Sequence, residues 1–284
     1  MNKESKRKVL ILLALVLVAA MVGVVLTKPF SVHHETISET MRDAVLHEEN
    51  RVWLFGTWAV DPSLVSGYVV TAALLVFAAL IRIFAIPRFK YVPGKFQSLI
   101  ELWVTTFDNL AKSNSPHRNK FLGAYIFGAG TYIFTGTMFE LFGIQAITTD
   151  GYSISLPAPL ADINGAICLG VLSYCIILSG GIAGNKLRGV GKTLKEFSLP
   201  VSMSFRLFGA LVSGMLVTEL VYYFFTLSFV LPVIVGILFT VLHALIQAYV
   251  LTMLTSVYYG EVSEVVVKKK KEKKNKADKE LKAA

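Results

Sequence analysis

Arg206 is an isolated cation in a long apolar stretch of the sequence. No other lysine or arginine occurs between Lys195 and Lys268. Burying a cation at bilayer depth costs at least about 2.5 to 3.5 kcal/mol, so an intramembrane arginine by default lines an ion or substrate path. Because arginine stays protonated in proteins, it could attract a carboxylate but could not carry a proton itself. The alternative is structural: an arginine that snorkels to the lipid headgroups or pairs with a neighbouring helix.

Small residues flank this arginine at helical spacing. Together with Arg206 they form one stripe at three- and four-residue spacing: Ser202, Gly209, Ala210 and Ser213. In lipid, such a stripe lets two helices approach closely, and a partner helix within this chain would explain it. Fixed packing would not ordinarily place a guanidinium at its centre, however. We therefore predict that the stripe faces a second, moving surface.

Further polar and titratable side chains lie in the same region. Thr240, His243 and Gln247 share one helical face, which indicates water or ion access, with interhelical hydrogen bonds as the alternative. Glu219 follows Arg206 by 13 residues and lies about 220° round the helix from it at 100° per residue. This spacing predicts one face with a permanent cation and another with a carboxylate that could relay protons.

Long apolar runs identify the elements that must hold these side chains. Of the 284 residues, 54% are hydrophobic, which is too many for an ordinary soluble domain. Six runs are near or above the roughly 20 residues that a spanning helix needs: residues 9–26, 64–86, 121–147, 163–182, 197–229 and 231–259. The predicted fold class is an all-α integral membrane protein with about six transmembrane helices.

The last two runs are too long for a simple crossing. At 1.5 Å per residue they would extend roughly 50 Å and about 40 Å or more, against a hydrocarbon core of about 30 Å. Such helices must tilt, bend or protrude. Pro232 marks the break between them, which predicts a long, tilted C-terminal helical hairpin.

The first run has two interpretations. A basic start followed by an apolar run also describes a secretory signal peptide. The run is longer than the usual apolar region of a signal peptide and lacks a small-x-small cleavage site before Lys28, so we favour a retained helix. Either outcome places residues 33–62 outside the cell.

The net charge of +9 could indicate nucleic-acid binding, but the positions of the basic residues exclude it. Lysines and arginines concentrate before the first run, after the second and fourth runs and in the C-terminal tail, whereas residues 148–161 contain none. Six spans with both termini in the cytoplasm satisfy the positive-inside rule at every loop. The lysine-rich tail at 268–282 is predicted to be a disordered segment in solvent or at the lipid surface.

Residues 95–110 predict an amphipathic helix between the second and third runs. Apolar side chains recur there at helical spacing with polar ones between them, which favours a helix at the cytoplasmic membrane interface.

Cys168 and Cys175 lie seven residues apart on one helical face. We interpret them as small core residues rather than a disulfide or metal site. Since the sequence contains no glycine-rich phosphate loop and no cluster with metal-ligand spacing, we expect no cofactor and no metal.

Four ordered segments resemble subunit a of the F-type ATP synthase. Residues 202–210 (Ser-Met-Ser-Phe-Arg-Leu-Phe-Gly-Ala) resemble the arginine helix of that family, and residues 245–258 resemble its last helix. Residues 92–101 (Val-Pro-Gly-Lys-Phe-Gln-Ser-Leu-Ile-Glu) resemble the segment after its first conserved span. Residues 159–164 (Pro-Leu-Ala-Asp-Ile-Asn) resemble its proline-x-alanine-aspartate-x-asparagine block.

This resemblance implies a stator channel that presses against a rotating ring of c subunits and offers it two offset half-channels for H⁺ or Na⁺. By the resemblance, Arg206 is the essential stator arginine and Gln247 is its neighbour. Asp162 and Asn164 fall where the family lines the outer access path. The implied partners are the c ring, the b subunits of the peripheral stalk, the F1 sector indirectly and the lipid bilayer. The chain itself would not act on ATP.

The resemblance also implies the organisation and location of the chain. Residues 1–62 would hold the first apolar helix or signal segment and an external segment. Residues 63–260 would form the membrane domain of the family, and residues 261–284 a lysine-rich cytoplasmic tail. The expected location is the bacterial cytoplasmic (inner) membrane, with multiple passes and both termini cytoplasmic unless the first helix is cleaved.

Several positions depart from the family pattern. Ala210 stands where asparagine is usual, and Met215 where many members have glutamate or histidine. Glu219 comes one turn after Met215, and His243 comes about one turn after the position of a histidine found in some members. We therefore predict that Glu219 and His243 replace the usual outer-channel groups. Glu196, just before the fifth run, is the candidate for the cytoplasmic half-channel.

Two other functions remain as alternatives at this point. An independent secondary transporter could use Arg206 to bind an anionic substrate at the midplane. A transporter would be functional when purified alone, whereas a stator channel should copurify with a c ring and a peripheral stalk. A purely structural assembly subunit is disfavoured by the buried arginine and its polar companions.

Overall fold

A computed structural model describes residues 15, 18, 36–39, 42, 52–54, 58–147, 153–223 and 231–264 of the chain. Within these residues seven α-helices follow one another: α1 (Pro62–Leu80), α2 (Lys95–Asn114), α3 (Asn119–Leu141), α4 (Ile163–Asn185), α5 (Leu187–Lys195), α6 (Ser198–Tyr223) and α7 (Leu231–Ser263). Two short antiparallel hairpins pair β1 (Val52–Leu54) with β2 (Trp58–Val60) and β3 (Gln145–Ile147) with β4 (Ser153–Ser155). The predicted first span apart from residues 15 and 18, residues 224–230 within the predicted C-terminal hairpin, and the predicted tail from residue 265 lie outside the described residues.

Four segments of the described chain are long and apolar enough to cross a membrane. They are Pro62–Arg88, Ile163–Asn185, Ser198–Thr218 and Val233–Ser263. Helix α3 has 23 residues, which is also the length of a span, but its glycines, threonines and tyrosines make it less apolar. The prediction of an all-α, multi-pass membrane protein is confirmed.

The first of these segments begins and ends where the sequence provides the signals. The Asp61 carboxylate accepts a hydrogen bond from the Ser63 amide at 2.8 Å, and Pro62 occupies the first turn of α1. Both features are typical of a helix start. The segment continues beyond α1 through a π-helical turn at Ile81–Ala85 and a short 3-10 turn at Ile86–Arg88, where Pro87 prevents further α-helix.

Contacts group the chain into two units. The smaller comprises residues 1–49 and 214–237, and the larger comprises residues 50–213 and 238–284. In the smaller unit, the Glu39 carboxylate accepts hydrogen bonds from the amide and the hydroxyl of Thr36, each at 2.9 Å. The Glu39 amide donates back to the Thr36 hydroxyl at 3.4 Å, which completes a capping box. The hydrogen bonds from Thr36 lower the pKa of the Glu39 carboxyl.

In the larger unit, the predicted amphipathic helix is present as α2. Its second half packs on α3: the Trp103 indole donates to the Thr131 hydroxyl at 3.0 Å, and the Trp103 and Phe107 rings meet edge-on at 5.4 Å. Phe107 and Ala111 are buried in the main core cluster. The apolar side chains in the first half of α2, such as Phe96 and Leu99, are exposed instead.

Glycines let α4 approach two other helices of the larger unit. A Cβ at Gly170 would overlap the Ser204 hydroxyl of α6 and would lie 3.0 Å from the Pro200 carbonyl oxygen. A Cβ at Gly180 would lie 2.5 Å from the nearest atom of the Tyr259 ring of α7. Small residues are what membrane helices use at such close approaches. Helix α4 thus covers one face of α6 and leaves the opposite face for other contacts.

The last turn of α7 is held by side chains from α4 and α5. The Asn185 amide donates to the carbonyl oxygens of Val262 at 3.1 Å and Glu264 at 2.6 Å. The Lys192 ammonium donates to the Glu261 carbonyl at 2.8 Å and lies 3.2 Å from its carboxylate. The last carbonyls of a helix have no partner within it. These bonds satisfy them and fix the end of α7 against α4 and α5.

The interpretation of the two cysteines as core residues is wrong. Cys168 and Cys175 are both free and both exposed on α4. A spacing of seven residues places two side chains on one helical face, but it does not say whether that face points inward or outward. On α4 the inward face is formed instead by small residues such as Gly170 and Ser173.

Lys186, between α4 and α5, has a strained backbone. Its φ of 52° and ψ of −132° lie in a region that glycine adopts far more easily than other residues. Replacing Lys186 with glycine is expected to raise the free energy of unfolding by about 1 kcal/mol, because it relieves this strain. Thermal unfolding in detergent, followed by near-ultraviolet circular dichroism, measures the change. The matched substitution Lys112→Gly, within α2, should instead lower stability by about 1 kcal/mol; destabilisation by both would contradict the prediction.

Candidate functional site

Arg206 lies on the outward face of α6 in the larger unit. The inward face is formed by Met203, Leu207 and Leu211, which are 1%, 1% and 5% exposed and belong to the main core. On the outward face the whole predicted stripe is accessible: Ser202, Arg206, Gly209 and Ser213 are exposed and Ala210 is half-buried. A partner helix among the described residues of this chain does not cover the stripe.

The stripe is smooth as well as open. A Cβ added at Gly209 would meet no atom within 4 Å. The Ser213 hydroxyl donates its hydrogen bond to the Ala210 carbonyl of its own helix at 2.9 Å, so its proton is not available to another molecule. Arg206 is the one charged residue of this stripe.

Within the described part of the chain, no carboxylate forms an ion pair with Arg206. Other cations of the described residues do form ion pairs, as Lys112 does with Asp108 and Lys192 does with Glu261. An exposed cation on an apolar helix is unfavourable in lipid. Among the described residues, the guanidinium of Arg206 therefore has no counter-charge.

The residues of the predicted polar face of α7 differ in their solvent exposure. Gln247 is only 6% exposed, whereas Thr240 and His243 are half-buried. The His243 imidazole lies edge-on to the Phe239 ring, with centroids 5.6 Å apart. The fully outward face of this helix is formed by apolar and aromatic residues, namely Leu242, Leu245, Ile246 and Tyr249.

The two predicted carboxylates near α6 have different settings. Glu196 lies between α5 and α6 and is half-buried; its amide donates to the Thr193 carbonyl, and its carbonyl accepts from the Leu199 amide, both at 3.0 Å. Glu219 lies in the part of α6 that belongs to the smaller unit. Its side chain lies outside the described residues.

Asp162 and Asn164 lie together at the start of α4. The Asn164 amide donates to the Asp162 carboxylate at 3.3 Å. The preceding loop packs between helices: a Cβ at Gly136 of α3 would lie 3.5 Å from the Pro159 ring, and one at Gly165 of α4 would lie 2.7 Å from the Pro159 carbonyl oxygen. The loop before Asp162 therefore packs against both the C-terminal half of α3 and the start of α4.

Two polar residues at that end of α3 were missed by the sequence analysis. Thr137 is 1% exposed, and its hydroxyl has no hydrogen-bond partner among the described residues. Glu140 follows one helical turn later and is half-buried. The signal available in the sequence was a carboxylate near the end of the third apolar run. Both residues lie on the end of α3 that the loop before Asp162 covers.

Within the segment at 92–101, the hydrogen bonds of Gln97 give that residue a structural role. The Gln97 side chain accepts from the Lys90 amide at 3.0 Å and donates to the Lys90 carbonyl at 2.8 Å. It also donates to the Glu101 carboxylate at 2.7 Å. A single glutamine thereby ties the turn before α2 to the first turns of that helix. No group of three or more potential metal ligands occurs in the described ranges of the chain.

Comparison with known proteins agrees over the same region. The family model described as ATP synthase A chain matches residues 66–260. A protein of Cereibacter sphaeroides named ATP synthase subunit a is 28% identical over 198 residues, covering 66% of this chain and 76% of that protein. A protein of Histophilus somni with the same name is 26% identical over 204 residues, covering 59% of this chain and 76% of that protein.

Proposed function

The chain belongs to the ATP synthase A chain family, and from that premise we propose that it is the ion-translocating stator of the membrane Fo sector. It would offer two half-channels to a c ring and couple the flow of H⁺ or Na⁺ to rotation and ATP synthesis. The chain is a multi-pass membrane protein of the ATP synthase complex. The half-channels, the contact with the c ring and the contact with the b subunits of the peripheral stalk belong to the proposal.

The observation that carries this proposal is the setting of Arg206. The residue is exposed on a smooth stripe of α6, and no carboxylate among the described residues pairs with it. A rotor that carries a carboxylate past this stripe would supply the missing counter-charge at each step. A stripe without large side chains supports a sliding contact.

The charge of Arg206 would act through the pKa of the rotor carboxyl. At about 4 Å and an effective dielectric of 20, a carboxylate gains roughly 4 kcal/mol from the guanidinium. At 1.36 kcal/mol per pKa unit, this lowers the carboxyl pKa by roughly 3 units. The arriving site releases its ion as a result, and the fixed cation prevents direct leakage between the two half-channels. Lysine would be a poorer substitute because it can deprotonate when buried.

The other polar residues divide between the two proposed access paths. Glu196, at the junction before α6, would serve the cytoplasmic half-channel. The outer half-channel would use Asp162, Asn164, Glu219 and His243, with Gln247 beside the arginine. Thr137 and Glu140 extend this set, because the loop before Asp162 packs on the helix that carries them.

The proposed topology follows the distribution of charge. The protein would reside in the bacterial cytoplasmic membrane with both termini inside, unless residues 1–27 are cleaved. Residues 1–62 would form the N-terminal helix and external segment, residues 63–260 the membrane domain, and residues 261–284 the cytoplasmic tail. The basic loops after the second and fourth apolar runs support this orientation.

Copurification separates the stator from the alternative of an independent transporter. An affinity-tagged chain, extracted from membranes in mild detergent, is expected to bring a c ring, the b subunits and F1 subunits with it. The chain purified alone and placed in vesicles should not accumulate any anion. Uptake of an anionic substrate by the isolated chain, lost on Arg206→Ala, would instead support the transporter.

Glu219→Gln is expected to slow ion flux through the complex and to change its dependence on pH. A carboxylate that exchanges protons with the path sets the pH at which flux is half-maximal, whereas glutamine cannot exchange them. Passive proton uptake into vesicles depleted of F1, measured across a range of pH, tests this. Thr218→Val, at the adjacent position of α6, is the control for packing. Identical pH profiles for Glu219→Gln and the wild type would show that Glu219 has only a structural role.

A further inference from the structure

Helix α5 is held at the membrane surface by the helices on either side of it. It extends from Leu187 to Lys195. Only Lys186 separates it from α4, and only two residues separate it from α6. Both neighbouring helices are long and apolar enough to cross a membrane. A nine-residue helix between the same-side ends of two spans must lie at about the level of the lipid headgroups.

One side of α5 is fixed to the protein. Gly189 and Gly181 allow close backbone contact between α5 and α4, since a Cβ at Gly189 would overlap the Gly181 carbonyl. The Tyr174 hydroxyl of α4 donates to the Thr193 carbonyl at 3.0 Å. Lys192 reaches the end of α7, as described above. The helix is therefore a rigid feature whose remaining face has a defined direction.

The remaining face is apolar and uncovered by the described residues. Leu187 is 87% exposed, Leu194 is 57% exposed, and Phe197 just beyond the helix is 71% exposed. At 100° per residue, Leu187 and Leu194 lie about 20° apart around the helix. They form one stripe, roughly 100° to 160° round the helix from Gly189 and Thr193, which contact α4.

Basic side chains border this apolar stripe. Arg188 and Lys195 are both exposed, and they lie within about 20° of each other and about 80° to 120° from the leucines. No acidic residue occurs from Lys186 to Lys195. An apolar stripe with a basic edge, at headgroup level, is the pattern of a helix that lies in the membrane interface and attracts anionic lipid.

We propose that α5 is an interfacial anchor that binds an anionic phospholipid of the bilayer. Leu187, Leu194 and Phe197 enter the boundary between headgroups and acyl chains, while Arg188 and Lys195 bind the headgroup phosphate. The complementary charge and the position between two spans favour lipid over a protein partner. The anchor holds the junction between α4 and the arginine helix at a fixed depth. This proposal rests on the membrane location of the flanking helices and not on the role of Arg206.

Photocrosslinking in the assembled complex tests which molecule covers the stripe. A benzoylphenylalanine replaces Leu194, and the complex is reconstituted in vesicles of equal parts phosphatidylglycerol and phosphatidylcholine. Mass spectrometry of the irradiated chain should find adducts of one phospholipid. The same group at Ser113, an exposed polar position of α2, should give far less lipid adduct. A protein adduct at position 194 would overturn the proposal.

The charge requirement is tested with paired variants of the same labelled complex. The ratio of phosphatidylglycerol to phosphatidylcholine adducts at position 194 is expected to exceed the vesicle composition by at least about threefold. Arg188→Gln with Lys195→Gln should reduce this ratio to the vesicle composition. Lys90→Gln with Lys120→Gln removes the same charge from other exposed positions and should leave the ratio unchanged. A ratio at the vesicle composition in the wild type, or an equal loss in both double variants, would overturn the proposal. Neither readout involves ion flux, so failure here leaves the stator function unaffected.

Discussion

Arg206→Ala is expected to abolish both ATP-driven ion pumping and coupled ATP synthesis in membrane vesicles. Without the guanidinium, the rotor carboxyl loses a stabilisation of roughly 4 kcal/mol for its ionised form. Its pKa would then rise by roughly 3 units at the stator, and the bound ion would not be released. Acidification of inverted vesicles, followed by the quenching of a pH-sensitive dye after addition of ATP, measures the loss. Retention of normal pumping would contradict the assignment of Arg206.

Two controls separate the electrostatic role from a structural one. Because Arg206 is exposed and the core lies on the other face of α6, Arg206→Ala should leave the amount of assembled complex and its thermal stability unchanged. Arg82 is also an exposed arginine within a candidate span, in the turn that follows α1. Arg82→Ala should therefore leave pumping intact. Loss of pumping in both variants would indicate a general effect of removing a membrane arginine.

The helices were predictable because their signal is carried by many residues at once. The fourth apolar run at 163–182 corresponds to α4 at Ile163–Asn185, and the predicted amphipathic segment 95–110 corresponds to α2 at Lys95–Asn114. In each case the sequence pattern reports burial or amphipathicity averaged over several turns. It does not report which molecule provides the contact. The inward packing of Phe107 and the outward position of the two cysteines therefore required the structure.

The candidate site was predictable where a single residue costs free energy in an apolar helix and so stands out in the sequence. Arg206 could be found because a cation in an apolar helix demands an explanation, and the structure places its stripe on the open face of α6. Thr137 and Glu140 escaped notice because one hydroxyl and one carboxylate near the end of a run barely alter its apolar character. The role of Gln97 in tying down the turn before α2 depends on backbone geometry, which no sequence spacing specifies.

Two glycines allow the interface between helices of this chain to be separated from the interface with a rotor. Gly209 lies on the exposed stripe beside Arg206, where an added Cβ would meet nothing within 4 Å. Gly170 lies where α4 meets α6, and an added Cβ would overlap the Ser204 hydroxyl. A leucine at position 170 should therefore impair folding of the chain, whereas a leucine at position 209 should leave folding intact and impair coupling to the rotor.

Gly170→Leu is expected to destabilise the chain itself. Overpacking of a close contact typically costs about 1 to 3 kcal/mol, so the thermal midpoint in detergent and the yield of assembled complex should both fall.

Gly209→Leu should preserve both quantities, because the site is open and leucine favours helix over glycine by up to about 1 kcal/mol. Its effect should appear only in the complex, where a leucine on the sliding surface obstructs the passage of the rotor. We expect pumping to fall at least about tenfold at normal assembly, which corresponds to a barrier increase of about 1.4 kcal/mol. Normal pumping by Gly209→Leu would show that the open stripe does not face the rotor, whatever the outcome for Arg206.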